Sequence, residues 1–135
     1  MLDAAGQETG FTGLNAVLRD YARFGLLLAH GGRSRQRQLI PAAWITAASS
    51  VSKDNPQLQL VWPDAGFGYG YLTWVFNDKR PMFALIGAFG QAIYIDPASR
   101  MAMVQTAVRK QASDPNQEAL ALWRGVVATL GVSLP

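Results

Sequence analysis

The run ALIGAFGQAIYIDPASRMAMVQTAV, Ala84 to Val108, carries two glycines three apart in a stretch that otherwise reads as buried sheet. Glycine weakens a strand interior, so Gly87 and Gly90 each need a reason. One reason is a bend. The other is a close approach of backbone to a reacting substrate, where fixed N–H groups can stabilise charge developing on a carbonyl oxygen. A second candidate is SVSK, Ser50 to Lys53, which places a hydroxyl and an amine three residues apart. On a helix those two side chains share one face. Ser50 falls at a helix end, however, and the pattern leaves two positions free, so helix-end and loop residues are the expected reading. His30 follows an apolar helix and precedes two glycines, which suits helix-end bonding. Asp54, Asp64, Asp78, Asp96 and Asp114 each sit beside a turn, a loop or a cap, not in carboxylate pairs. No metal site and no cofactor is expected. The glycines form no phosphate-binding fingerprint.

The elements that must position these residues run helix first and strand later. In LNAVLRDYARFGLLLAHGG, Leu14, Leu18, Tyr21, Ala22, Leu26 and Ala29 recur at helical spacing. Asn15 is the expected cap and Gly31 the expected stop. Gly25 costs helix stability, which close packing on a neighbour would explain. A shorter helix begins near Pro41, with Trp44, Ile45 and Ala48 on its apolar side. Val51 to Phe67 reads as a polar, proline-broken connection. GYGYLTWVF, MFALI, QAIYI and MAMVQTAV then read as about four strands, separated by the turns NDKRP and DPASR. Tyr69, Tyr71 and Trp74 are candidates for lining a substrate cleft in an intact enzyme, with packing the better reading of Trp74. A last helix follows, with Asp114 as cap, Pro115 at its first position and Gln117 completing a capping box. Ala119, Leu120, Trp123, Val126, Val127 and Leu130 form its stripe, and Gly131 ends it. The expected class is α+β, an antiparallel sheet covered by helices.

Composition narrows the field. The chain has 135 residues, 50% of them hydrophobic, which supports one domain with a core and not a disordered chain. It has no cysteine, so neither disulfides nor thiolate metal sites arise. No apolar run is long enough to span a membrane. The opening MLDAAGQETG lacks a positive start and an apolar centre, which leans toward the cytoplasm without fixing a compartment. The net charge of +3 owes much to Arg33, Arg35 and Arg37 in one short loop. That is too narrow a basic surface for a nucleic-acid groove.

The blocks GFTGLNAVLRDYARFGLLLAHGG, RQLIPAAWI, FGYGYLTWVF and FALIGAFGQAIYIDPASRMAMVQTA, in that order, resemble the late part of the serine β-lactamase and penicillin-binding-protein fold. The nearest branch in appearance is the class C β-lactamase-related esterases, D-aminopeptidases and 6-aminohexanoate-dimer hydrolases. The resemblance implies an acyl-enzyme mechanism built on a Ser-x-x-Lys serine, a Tyr-x-Asn tyrosine and a later edge strand of Lys-Thr-Gly type. That edge falls on Leu85, Ile86 and Gly87. The glycine is kept, but Leu85 replaces a charged or polar residue, which argues more against β-lactam recognition than against ester or amide hydrolysis. The family pattern makes the N–H of Ala88 the strand's oxyanion donor, with Gly87 allowing close approach. Leu85, Ile86 and Gln91 become the candidate substrate contacts.

No Tyr-x-Asn occurs in the sequence, and the nucleophile motif of the family lies well upstream of the block resembling GLNAVLRDYARF. Residues 1–135 therefore read as a single C-terminal segment of a β-lactamase-like hydrolase domain, with the nucleophile-bearing part absent. Alone, such a segment is expected to be inactive. The alternatives are a noncatalytic, self-associating module and a compact hydrolase using Ser50 and Lys53. The expected partners are a small-molecule ester or amide in the intact enzyme, the missing N-terminal portion, or a second copy of the chain.

Overall fold

A computed structural model describes residues 1–10, 13–51, 59–62, 67–76, 80–110 and 117–131, the stretch 59–62 as backbone only. The described residues form three α-helices, a six-stranded sheet and a two-stranded hairpin. The first helix, α1 (Leu18–Ala29), leads through a small hairpin, β1 (Arg33–Ser34) and β2 (Arg37–Gln38), to α2 (Ala42–Ser49). The main sheet comprises β3 (Gln59–Trp62), β4 (Phe67–Gly70), β5 (Thr73–Phe76), β6 (Phe83–Ile86), β7 (Ala92–Asp96) and β8 (Met101–Gln105). Each of its strands pairs antiparallel with its sequence neighbour. The last helix is α3 (Gln117–Leu130).

Helices cover both faces of the sheet, and alternation along each strand sorts the side chains between them. Phe76, Ala84, Ala92 and Tyr94 pack against Ala119, Leu120, Trp123 and Val127 of α3. On the other face, Val75, Phe83, Ile93 and Ile95 pack against Leu28 and Ala29 of α1 and Ile45 of α2. β7 is buried along its whole length, which explains its near-continuous apolar sequence AIYI. The α+β class and the antiparallel sheet under helices are as the sequence indicates.

Several details differ. GYGYLTWVF is not one strand but the hairpin β4–β5, turned by Tyr71 and Leu72 at φ 52° and 60°. Positive φ at both central positions is the primed hairpin turn, which normally selects Asn or Gly, so neither residue type announces it. The connection from Val51 to Phe67 contains β3, which pairs with β4. Arg33 and Arg37 lie in the β1–β2 hairpin, not in a plain loop. Asn15 does not cap α1: Val17 occupies that position without a side-chain cap, and Asn15 Nδ2 donates to Gly13 O at 3.1 Å. Of the expected stripe, Ala29 is buried and Tyr21 packs against the core, but Leu14, Leu18 and Leu26 are exposed, and the helix buries Gly25 and Leu28 in their place. Leu130 at the end of α3 is exposed too. The proposed cap residues Asp114 and Pro115 lie outside the described residues.

Gly25 answers to the expectation of close packing. A Cβ built there would meet Ile93 Cγ2 at 2.8 Å and Ala102 Cβ at 2.9 Å, so α1 sits on β7 and β8 at backbone distance. Gly125 in α3 has nothing within 4 Å of such a Cβ. The two helical glycines should therefore respond with opposite signs. Gly25→Val is expected to destabilise the fold by about 1–3 kcal/mol through overpacking. Gly125→Ala is expected to stabilise it by about 0.5–1 kcal/mol through helix propensity. Urea midpoints of the two variants at constant m-value check both signs.

Candidate active site

β6 ends at Ile86 and the chain turns back into β7 through Gly87–Gln91. Gly87 remains extended, at φ −94° and ψ 163°, and its N–H donates to Gln91 O at 2.8 Å. Ala88–Gly90 form one 3-10 turn, with Phe89 at φ 64° and Gly90 at φ 99°. Two bonds hold it: Arg109 N donates to Phe89 O at 2.9 Å, and Gln105 Nε2 donates to Gly90 O at 3.0 Å.

The two glycines have different explanations. Gly90 needs its positive φ, and a Cβ there would lie 2.8 Å from Arg109 Cδ and Nε. Turn geometry and packing within the chain account for it. Gly87 has a φ open to any residue. A Cβ there would meet Gln91 Oε1 at 3.3 Å, the movable end of a flexible side chain. Nothing among the described residues requires a glycine at this position.

Backbone alternation settles which way the neighbouring amides face. Gly87 N–H points to β7, whereas Met82 O accepts from Phe76 N at 3.0 Å and so points toward β5. Along an extended strand successive residues address opposite edges. Met82, Ala84, Ile86 and, after the extended Gly87, Ala88 therefore share the β5 side. The β5–β6 ladder stops at Trp74 opposite Ala84. Beyond that pair β5 has turned away, and the backbone groups of Ile86 and Ala88 face an edge that no β5 residue occupies. Among the described residues, no acceptor is found for the Ala88 N–H.

The side chains divide by face. Leu85 lies with the α1–α2 core. Gln91 stands opposite Gly87 on that same face, its Oε1 over the bare glycine. Ile86 packs into the α3 core on the far side of the sheet. The structure thus brings Leu85, Gly87, Ala88 and Gln91 together and leaves the Ile86 side chain apart. Tyr69 and Trp74 pack on each other across the β4–β5 pair, ring centroids 4.7 Å apart. Tyr71, at the turn, instead meets Trp44 of α2 edge-on at 6.0 Å.

Ser50 closes α2: it is the C-terminal cap, and its hydroxyl donates to Thr46 O. Lys53 lies outside the described residues. His30 caps α1 with Nδ1 2.8 Å from Leu26 O, the helix-end role expected for it. Among the described residues no cluster of His, Cys, Asp or Glu could hold a metal ion.

One polar group with a strong structural role is not evident in the sequence. Asp96, at the end of β7, is fully buried. Arg80 Nε donates to its Oδ2 at 2.8 Å, and Arg80 Nη2 lies 2.6 Å from the same oxygen as an ion pair without hydrogen-bond alignment. Ser99 Oγ donates to Oδ2 as well, and Ala98 N donates to Oδ1 at 3.2 Å. Burial pushes the Asp96 carboxyl up, but the hydrogen bonds from Arg80 and Ser99, the Arg80 charge and the Ala98 amide together hold it below the usual range. DPAS reads as a turn from its composition. The partner 16 residues upstream obeys no local spacing rule.

The strand that the sequence suggests as a sheet edge is instead the interior strand β6, paired with β5 and β7 and running past its β5 partner to Gly87. An antiparallel sheet between helices fits the architecture of serine β-lactamase-like hydrolases. The sequence profile of the Beta-lactamase family matches residues 2–127, and the chain belongs to that family. A solved structure from Bacillus anthracis, provisionally described as a 6-aminohexanoate-dimer hydrolase, superposes with a TM-score of 0.70 at 27% identity. The match covers 94% of this chain and 31% of that protein. No curated protein matches. Among the described residues no helix is long and apolar enough to cross a membrane.

Proposed function

We propose that this chain supplies the oxyanion-binding strand of a serine acyl hydrolase, with Ala88 N–H as donor and Gly87 as the position over which the reacting group passes. One observation carries the reading: a glycine that the described residues do not need sits immediately before an amide on an unoccupied strand edge. Gln91 leans over the same spot and is suited to a polar substrate contact. Leu85 supplies an apolar wall. The substrate is a small ester or amide, a β-lactam being disfavoured by the hydrocarbon at Leu85.

In the proposed reaction a serine Oγ attacks the carbonyl carbon while a neighbouring base takes its proton. The carbonyl oxygen gains charge and is held by Ala88 N–H and by the serine's own amide. The carbonyl re-forms as the alcohol or amine leaves with that proton. Water then hydrolyses the acyl-enzyme by the same route. The serine, its lysine and the tyrosine are proposed to lie outside these 135 residues, as part of a longer hydrolase domain. The role of Ser50 as a helix cap bonded to Thr46 O supports assigning the nucleophile elsewhere. So does the 31% share of the structural relative that the chain spans.

A serine-reactive acylating probe with mass spectrometry tests this. The 135-residue chain alone is expected to remain unmodified. Together with an upstream region carrying the Ser-x-x-Lys serine, one serine outside these residues should be labelled. A stoichiometric adduct at Ser50 that disappears in Ser50→Ala would establish the compact alternative instead.

A further inference from the structure

An apolar cavity of about 360 Å³ opens between α1, α2 and the tip of the β4–β5 hairpin. Phe24, Ile40, Trp44, Tyr71, Phe83 and Leu85 are among its walls. We propose that it is a side-pocket for the hydrocarbon chain of the substrate's acyl group, and this rests on the reading of Gly87–Ala88 as the oxyanion edge. The size lies within the range of ordinary small-molecule sites.

Three independent features support this occupant. The first is continuity. Leu85 lines the cavity, and Gly87 is the next residue on the same face of β6. Gly87 carries no side chain, so only the movable end of Gln91 lies over the backbone between cavity and Ala88. A carbonyl held at Ala88 can send its chain back along this stretch without meeting a side chain of β6.

The second feature is chemistry. Among the described residues, none that lines the cavity is charged. Its Thr73 hydroxyl is turned back onto Tyr71 O at 3.3 Å. A charged or strongly polar group entering here would lose its hydration without replacement. A plain hydrocarbon chain would not.

The third feature is the construction of the wall. Tyr71 and Leu72 occupy left-handed backbone positions where Asn and Gly are the usual residues. Such conformations cost free energy and cluster where a site needs a particular group in place. Here the cost sets the Tyr71 ring against Trp44, which is itself 48% exposed at the rim.

The geometry also sets a length. Two residue steps of strand lead from Leu85 to Gly87, roughly 6–7 Å. An acetyl group held at Ala88 stops short of the cavity. A straight chain of about five or more carbons reaches it, given that span.

The test uses neutral alkanols, which bind without being hydrolysed, and the full-length protein with labelled Ile and Leu methyl groups. Titration from butanol to octanol should give saturable NMR shifts at Ile40, Ile45 and Leu85. Ile86 and Leu120, on the opposite face, serve as internal controls and should not move. Affinity should rise about fourfold per added methylene until the cavity is full. Trp44→Ala, at the exposed rim, should weaken hexanol binding about tenfold. Absence of saturable shifts at the lining methyls, or equal shifts on both faces, overturns the pocket. A parallel series of p-nitrophenyl esters separates this proposal from the catalytic one. Alkanol binding without any ester cleavage keeps the pocket and removes the hydrolase reading. Ester cleavage indifferent to chain length, with no methyl shifts, does the reverse.

Discussion

Replacing Gly87 with valine is expected to reduce acyl-enzyme formation in the proposed complete hydrolase by roughly 10²–10³-fold, the cost of misplacing the proposed oxyanion donor. The variant should still fold. Its backbone, at φ −94° and ψ 163°, suits a β-branched residue, and the nearest obstacle to a new side chain is the movable Gln91 Oε1. A defect in chemistry can thus be read without a defect in structure, which is rarely available at a strand glycine. Ala88→Ser should be much milder, because the proposed contribution of residue 88 is its backbone. The measurement is the rate of acylation by a chromogenic ester, with circular dichroism and thermal unfolding recorded on the same samples. Parental acylation by a normally folded Gly87→Val protein would remove this edge from the mechanism and leave the glycine without an account.

The second large effect concerns Arg80. Arg80→Ala leaves a fully buried carboxylate at Asp96 with only Ser99 and the Ala98 amide to satisfy it. Breaking a buried pair commonly costs 3–5 kcal/mol; because a quarter of the Arg80 side chain is exposed, about 3 kcal/mol is expected at neutral pH. The pH dependence should also change sign. In the parent, the folded carboxyl titrates below its unfolded value, so its stabilisation is present above the unfolded pKa, near 4, and is lost as pH falls through the lower folded value. Without Arg80, burial becomes the dominant influence and drives the folded pKa above the unfolded one. Stability is then greatest below about pH 4 and declines as pH rises through the folded value. Urea unfolding between pH 3 and pH 7 compares the two proteins. If both lose stability in parallel on acidification, the carboxyl–guanidinium pair is not what holds Asp96 ionised.

Much of this architecture is legible in the sequence because it follows from periodicity. The spacing of Ala119, Leu120, Trp123 and Val127 predicts the buried face of α3, and AIYI predicts a strand covered on both sides. Gly87 and Gly90 stand out because glycine is rare in such a run, although the reason for Gly90 emerges only from its positive φ and from Arg109, 19 residues further on in the sequence. Tyr71–Leu72 is illegible for the opposite reason. Its left-handed turn uses residues whose own preferences argue against it, so tertiary context overrides local chemistry. The α1 stripe misleads in a different way. Leu14, Leu18 and Leu26 satisfy the helical period, yet the small residue Gly25 fixes which side of the helix can approach β7 and β8. Hydrophobicity alone does not register that constraint. The open edge at Ala88 depends on where β5 departs from β6, a matter of register set by a turn and not by any residue in β6.

The strand order of the main sheet has a kinetic consequence. From β3 to β8 every ladder joins immediate sequence neighbours, so no pairing waits for a distant segment to arrive. Loop closure is brief at each step, and sheets built this way assemble faster than those that interleave remote strands. During synthesis, the meander can zip up hairpin by hairpin as it leaves the ribosome, with β7 receiving its two neighbours before α3 has emerged. The proposed oxyanion edge at Gly87–Ala88 is then laid down by the most local part of the folding process.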